Sequence, residues 1–267
     1  MEFRPGANAQ MGTQFVSQAP ADGYTWLFSS DGALSIAPAI APLLGQPLPY
    51  DAAADFIPVS LLAQVPFVLV AHPKTGIKSF QDLIARAKAN PGSISYGTLG
   101  IGSSHHVAME VLSKRLGIDL IHVPYTGSTP AVAAVVGGQI NVLLISLGPA
   151  LPFIRNGQLN PLAMTSKERL PLVPEIPTLL EVGGDLEVSG WFALVVRRET
   201  PAPIVALLRD KLSAYVASKT FVDEVLLRNG YAEPSVSPGE VEQFLDNNRN
   251  RWAGWVNDVE SRLKQSS

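Results

Sequence analysis

Short apolar runs of strand length punctuate this chain, and a small, hydroxyl-rich stretch follows each of four of them. Tyr24–Phe28 leads into Ser29-Ser30-Asp31-Gly32, and Ile94-Ser95-Tyr96 into the loop that runs from Gly97 to Ser104. Leu120–Tyr125 leads into Thr126-Gly127-Ser128-Thr129-Pro130, and Ile140–Ile145 into Ser146-Leu147-Gly148-Pro149. Helical apolar periodicity recurs between the runs. Strand alternating with helix predicts an α/β fold with mostly parallel sheets. Ligands of open α/β sheets bind outside the carboxyl ends of strands. The four stretches (29–32, 97–104, 126–129 and 146–149) therefore point to one cleft lined by neutral donors, with Asp31 the one charged side chain among them.

The stretch Ser95-Tyr96-Gly97-Thr98-Leu99-Gly100-Ile101-Gly102-Ser103-Ser104-His105-His106 is the strongest of the four. A strand enters it, and a helix leaves it with apolar residues at Val107, Val111, Leu112 and Leu116. A helix start leaves backbone N–H groups without partners, and its dipole favours negative charge. Gly97, Gly100 and Gly102 let a ligand approach the main chain. Thr98, Ser103 and Ser104 add side-chain donors. The loop is thus a candidate site for a carboxylate or similar small anion. The same composition also suits a βα turn that merely caps its helix. The spacing G-x-x-G-x-G is not the dinucleotide fingerprint, and no phosphate-binding G-x-x-x-x-G-K-[ST] occurs.

Composition narrows the function classes. The 267 residues are 46% hydrophobic and 16% charged, which is a globular balance with ample material for a core. A net charge of −3 and the lack of a dense basic stripe argue against a nucleic-acid partner. Without cysteine there is no disulfide, thiolate metal site or cysteine nucleophile. No apolar run reaches membrane-spanning length, and Met1–Gly6 carries no signal-peptide apolar core.

Other segments read as scaffold. Arg4–Asn8 and Asp22-Gly23 are turns, and Pro47–Asp55 is an irregular connector. Phe56–Leu62 and Pro66–Ala71 read as two buried strands. Ser79 with Asp82 opens a helix that Asn90-Pro91-Gly92 stops. Pro130 suits the first helical position, with Ser128 or Thr129 as cap, and Thr200-Pro201 suits the start of another helix. Ser237-Pro238-Gly239-Glu240 combines a capping box with proline and opens a long amphipathic helix that carries Trp252 and Trp255.

Enzyme signatures are missing. No G-x-S-x-G elbow and no His-Glu-x-x-His occurs, and His105-His106 lacks the i, i+4 spacing of two ligands on one helix face. His72 and His122 are isolated in sequence. The reading is therefore of no catalytic residue, no metal site and no cofactor. The alternatives are a ligand-sensing interaction module, or a serine hydrolase using Ser103 or Ser104 with a histidine.

Several ordered segments resemble a known family. They are Arg4-Pro5-Gly6-Ala7; Ala21–Thr25; Leu48–Asp51 with Asp55–Val59; Tyr96-Gly97-Thr98 with Gly100, Gly102-Ser103 and His106; His122–Tyr125 with Gly127; Gly137-Gly138-Gln139; Ala163–Ser166; and Pro174–Thr178. Together, over nearly the whole chain, they are similar to the solute-binding proteins of tripartite tricarboxylate transporters, the Bug family. The resemblance implies a type II periplasmic-binding-protein fold with two lobes joined by a hinge. Lobe one would be residues 1–72 and 190–267, and lobe two residues 73–189. It implies a monomeric periplasmic receptor that takes a small carboxylate and passes it to membrane permease subunits. The loop matching 97–104 would contact a ligand carboxylate, Ser29 and Ser30 would face it from the other lobe, and Tyr125 and Gly127 would form a third pocket loop. With Ser146 from the hydroxyl-rich stretches, the expected ligand contacts are Ser29, Ser30, Thr98, Gly100, Gly102, Ser103, Ser104, Tyr125, Gly127 and Ser146. Three departures stand out. The family's signal peptide and first strand-loop-helix of lobe one have no counterpart before Arg4, which would leave an unpaired sheet edge. Ile145-Ser146 replaces a common Asp-Asn, which disfavours amino acids as ligands. Ala37-Pro38 replaces a common Asn-Pro.

Overall fold

A computed structural model describes Glu2, Arg4 and residues 9–265. The turn expected at Arg4–Asn8 falls largely on Pro5–Asn8, outside the described residues. In chain order the elements are α1 (Gln10–Ser17), β1 (Leu27–Ser30), α2 (Ala37–Ile40), β2 (Phe56–Ala71), α3 (Phe80–Ala89), β3 (Ser95–Thr98), α4 (Ser104–Leu116), β4 (Ile121–Pro124) and α5 (Ser128–Val136). There follow β5 (Val142–Ser146), α6 (Leu147–Arg155), β6 (Asn160–Met164), β7 (Ser189–Arg197), α7 (Ala202–Val216), α8 (Lys219–Phe221), α9 (Val241–Asp258) and α10 (Glu260–Gln265). Among the described residues no helix is long and apolar enough to cross a membrane.

The chain divides into two compact units. Unit 1 comprises residues 1–64, 190–227 and 233–257; unit 2 comprises 65–189, 228–232 and 258–267. The first division falls between Gln64 and Val65, inside β2, whereas the sequence reading put it after residue 72. The two apolar runs read as separate strands are one 16-residue strand; Ala63-Gln64-Val65 continues its extended backbone. Residues 228–232 and 258–267 also leave the block 190–267 that the sequence reading assigned to lobe one.

In unit 1, β7 lies between β1 and β2. β1 runs antiparallel to β7, with Phe28 opposite Leu194 and Ser30 opposite Phe192. Alternation decides the faces. Leu27 on β1 and Trp191, Ala193 and Val195 on β7 are buried against Val241 and Leu245 of α9, while Phe28 is exposed and stacks on Phe192. Among the described residues β1 ends the strand order. The capping box expected at Ser237–Glu240 is present: the Glu240 carboxylate accepts from the Ser237 backbone N–H and hydroxyl. It starts α9, whose Trp252 is fully buried and whose Asn248 side chain accepts from the Trp191 indole N–H at 2.9 Å. Thr200 does not cap α7. The cap position is Pro201, and the helix buries one apolar residue, Val205.

Unit 2 carries a sheet in the order β6-β2-β5-β3-β4. The prediction of mostly parallel sheets is corrected here. β3 runs parallel to both β4 and β5, but β2 is antiparallel to β5 and to β6, as β1 is to β7. Strand runs of similar length do not reveal direction, and β2 enters its sheet against β5. The core packs Val68 and Val70 of β2 and Leu143 and Ile145 of β5 against Ala131 and Val135 of α5 and Ala150 of α6. α3 starts as its sequence signals require: the Ser79 hydroxyl accepts from the Asp82 N–H at 3.1 Å. Pro130 is not the first residue of α5; the helix begins two residues earlier, at Ser128, with Gly127 as cap and no side-chain cap bond.

The segment 228–232 joins unit 2 through a close main-chain approach. A Cβ added at Gly148, near the start of α6, would stand 2.4 Å from the backbone carbonyl oxygen of Asn229. A backbone atom cannot swing aside as a side-chain tip can. Gly148→Ala is therefore expected to cost about 2–3 kcal/mol of overpacking strain, read as a lowered urea midpoint against the wild type; an unchanged midpoint would show that the two segments separate freely.

Candidate functional site

Because β5, β3 and β4 are parallel neighbours, their carboxyl ends share one edge of the unit 2 sheet. Each strand passes at that edge into a helix: β3 into α4, β4 into α5, and β5 into α6. Three helix N-termini therefore open on the same edge, each presenting N–H groups without intrahelical acceptors. This topology brings together eight of the ten expected contacts. Thr98, Gly100, Gly102, Ser103 and Ser104 lie between β3 and α4, Tyr125 and Gly127 between β4 and α5, and Ser146 between β5 and α6. The Tyr125 N–H bonds the Thr98 carbonyl at 3.0 Å, which fixes the second loop against the first. Gly127 and Ser146 are the cap residues of α5 and α6, neither with a side-chain cap bond.

Ser29 and Ser30 belong to unit 1. Their composition suggests a loop, but they are the last two residues of β1, and Gly32–Ile36 continues directly as a helical turn. The apolar residues after Gly32, all buried, draw that segment into helix rather than leaving an open loop. The buried Ser29 hydroxyl makes no hydrogen bond. The stretch 146–149 is likewise no loop, since β5 runs directly into α6.

Hydrogen bonds within the first loop separate its donors into those engaged and those open. Gly100 and Gly102 take φ values of 113° and 73°, which glycine alone adopts without strain. Their N–H groups are engaged internally. Gly100 donates to the Thr98 hydroxyl at 3.3 Å, and Gly102 donates to Nδ1 of His106 at 3.1 Å. The Ser103 N–H bonds the Gly100 carbonyl at 3.2 Å, and the Ser103 hydroxyl caps α4 by accepting from the His106 N–H at 3.3 Å. Thr98 is fully buried, and its hydroxyl lies 2.6 Å from Nε2 of His122. These residues shape the loop, and the glycines serve its turn rather than supplying donors. The helical geometry leaves the N–H groups of Ser104 and His105, the first two residues of α4, without intrahelical acceptors.

No acidic residue occupies the first turn of α4, and Lys114 and Arg115 lie in the last, where they complement the dipole. His105 and His106 are buried in the first turn and neutral at pH 7. Burial lowers His105 to about 3; burial and then the neighbouring His122 lower His106 to about 3. His105 packs on the Phe67 ring with centroids 4.2 Å apart. The arrangement can hold a small anion by N–H donors and dipole without a formal countercharge.

The serines and histidines of the loop are not paired as nucleophile and base. The Ser104 hydroxyl is 3.5 Å from Nδ1 of His105, beyond a good hydrogen bond, and the Ser103 hydroxyl meets a backbone N–H. Among the described residues no cluster of histidine, cysteine and carboxylate could hold a metal.

His122 is isolated in the sequence but not in the fold. Strand register places it beside Tyr96 on β3, and its ring stacks on those of Tyr96 and His106. Nothing in the local sequence signals this, because the pairing arises from a β3–β4 register and a helix that crosses it.

Comparison with known proteins identifies the family. The family model described as the tripartite tricarboxylate transporter family receptor matches residues 1–260. BugT of Bordetella pertussis is 34% identical over 266 residues, which cover 99% of this chain and 80% of BugT. Among solved structures, an R. palustris protein with adipate superposes with a TM-score of 0.87 at 28% identity, covering 96% of this chain and 84% of its own. MatC from Rhodopseudomonas palustris with bound malate superposes with a TM-score of 0.80 at 28% identity, covering 94% and 85%. The periplasmic binding protein BugD gives a TM-score of 0.80 at 27% identity, covering 95% and 84%. The fold is the mixed α/β fold of periplasmic binding proteins of this type, and the chain belongs to the tripartite tricarboxylate transporter receptor family.

Proposed function

We propose that this protein is an extracytoplasmic solute receptor that binds a small dicarboxylate and delivers it to the membrane permease subunits of a tripartite transporter. The observation that carries the reading is the start of α4, where the Ser104 and His105 N–H groups lack intrahelical acceptors and no acidic side chain competes for them. One carboxylate of the ligand accepts from these two groups and from the Ser104 hydroxyl. Tyr125, Gly127 and Ser146, on the same sheet edge, line the approach. The fully buried Thr98 supports the loop rather than touching ligand. Two relatives of the same fold, solved with adipate and with malate, favour a dicarboxylate over a neutral solute. A hydrogen bond to a charged acceptor contributes about 1.5–3 kcal/mol, so two such donors hold a carboxylate without a basic side chain.

Calorimetric titration with straight-chain and hydroxylated di- and tricarboxylates tests this. Saturable heat with at least one dicarboxylate, and none with its diamide, is the expected result. Neither heat nor thermal shift across the whole panel would overturn it.

A further inference from the structure

We propose that His122 is a positioning residue for carboxylate binding, acting through Thr98 to hold the loop that presents the Ser104 and His105 N–H groups. The inference rests on the carboxylate-receptor reading above and adds to it a residue outside the loop. The loop is fastened at both ends by imidazoles. At its start, Nε2 of His122 meets the Thr98 hydroxyl at 2.6 Å. At its end, Nδ1 of His106 accepts the Gly102 N–H at 3.1 Å. The two imidazoles stack with centroids 3.9 Å apart and planes 10° apart, so the fastenings are joined to each other. His122 also stacks on Tyr96, at 5.1 Å and 27°.

The Thr98 hydroxyl connects His122 to the turn. It receives the Gly100 N–H at 3.3 Å and also lies 3.3 Å from the Gly100 carbonyl, which in turn accepts the Ser103 N–H. Moving Thr98 therefore moves Gly100, then Ser103, then the first turn of α4. A donor displaced by even a fraction of an ångström from a fixed carboxylate loses much of its hydrogen bond. His106 cannot perform this task alone, because it fastens only the Gly102 end. The His106 bond also fixes its tautomer: Nδ1 accepts, so Nε2 carries the proton.

A double-mutant cycle with adipate as probe tests the inference. His122→Phe keeps a stacking ring and removes the bond to Thr98. Thr98→Val removes the hydroxyl at nearly constant volume. Each single change is expected to weaken adipate binding about 10-fold, the scale of one lost hydrogen bond of about 1.4 kcal/mol. The double variant should bind no more weakly than either single one, because both remove one linkage. His122→Gln returns a nitrogen to the Nε2 position and should recover most of the affinity. Additive losses, or wild-type affinity in His122→Phe, would overturn the proposal. Backbone amide spectra without ligand separate it from the reading on which it rests. If no carboxylate binds the wild type, the receptor reading falls, yet the Gly100, Gly102 and Ser104 amides must still shift in His122→Phe and return in His122→Gln. Unmoved amides would overturn the positioning role whatever the ligand.

Discussion

Lowering the pH from 7 to 5 is expected to cost the folded chain about 2 kcal/mol for each of His105 and His106. Both are buried in the first turn of α4, and burial lowers each to about 3, with His122 adding to the effect on His106. In the unfolded chain each regains an ordinary histidine value near 6.5. Above that value both states are neutral and the folded state keeps its full stability. Below it the unfolded chain takes up protons that the folded chain refuses, so stability falls as pH drops, and continues to fall towards about 3. Urea midpoints at pH 7, 6 and 5 measure the effect. His105→Phe keeps an aromatic ring against Phe67, so the variant should fold and lose about half of the pH dependence. A midpoint that is flat from pH 7 to 5 would mean that these imidazoles titrate normally and that the helix start is not as dry as its packing indicates. The link to function is direct, since a dry, neutral helix start is where a dipole attracts an anion most strongly.

Arg262→Met is expected to cost about 2–3 kcal/mol, below the usual loss for a fully buried ion pair because the Arg262 side chain is about a quarter exposed. Glu110 is buried on α4, and its carboxylate accepts from Arg262 Nε at 2.6 Å on one oxygen and from the Tyr96 hydroxyl on the other. Arg262 comes from α10, so the last helix is tied to the helix that carries the loop. Without the guanidinium, a buried carboxylate is left with one neutral donor. Glu110→Gln in the same background removes the stranded charge and should restore most of the stability, because replacing both partners is far milder than removing one. Thermal or urea unfolding of the three variants reads this; a loss below about 1 kcal/mol in Arg262→Met would contradict it. The nearby pair Lys114–Asp258, 2.6 Å apart but about half exposed on both side chains, should matter far less.

Much of the scaffold was legible in the sequence because local chemistry determines it. Ser79 with Asp82, and Ser237 with Glu240, start helices where hydrogen-bonding side chains satisfy first-turn N–H groups. The β3–loop–α4 unit is legible for the same reason: glycines permit the positive φ of the turn, and Ser103 caps the helix. Local chemistry does not determine the rest. Strand direction depends on connections that span whole units, so the antiparallel entry of β2 was missed. The continuity of β2 through Gln64 was hidden because a polar residue looks like a break when its tertiary neighbours are unknown. Ser29 and Ser30 carry loop-like composition but pair in register with Ala193 and Phe192. The separation of donors in the loop was illegible too. Thr98, Gly100 and Gly102 read as ligand contacts, and only the positions of His106 and His122 reveal that their polar groups are engaged inside the loop.

The central claim is that the open N–H groups at the start of α4 hold the ligand's carboxylate, and Ser104→Pro tests it most directly. Proline is well tolerated at the first helical position, where it deletes an N–H that the helix does not use. The preceding residue, Ser103, already has the extended conformation that proline demands, with φ −71° and ψ 160°. Calorimetric titration of Ser104→Ala, which loses only the hydroxyl, and of Ser104→Pro with adipate, alongside their melting temperatures, should show near-equal stability and at least about 10-fold weaker binding in the proline variant than in the alanine variant, the loss of one charge-assisted hydrogen bond. Equal affinity at equal stability would mean that the carboxylate is held elsewhere.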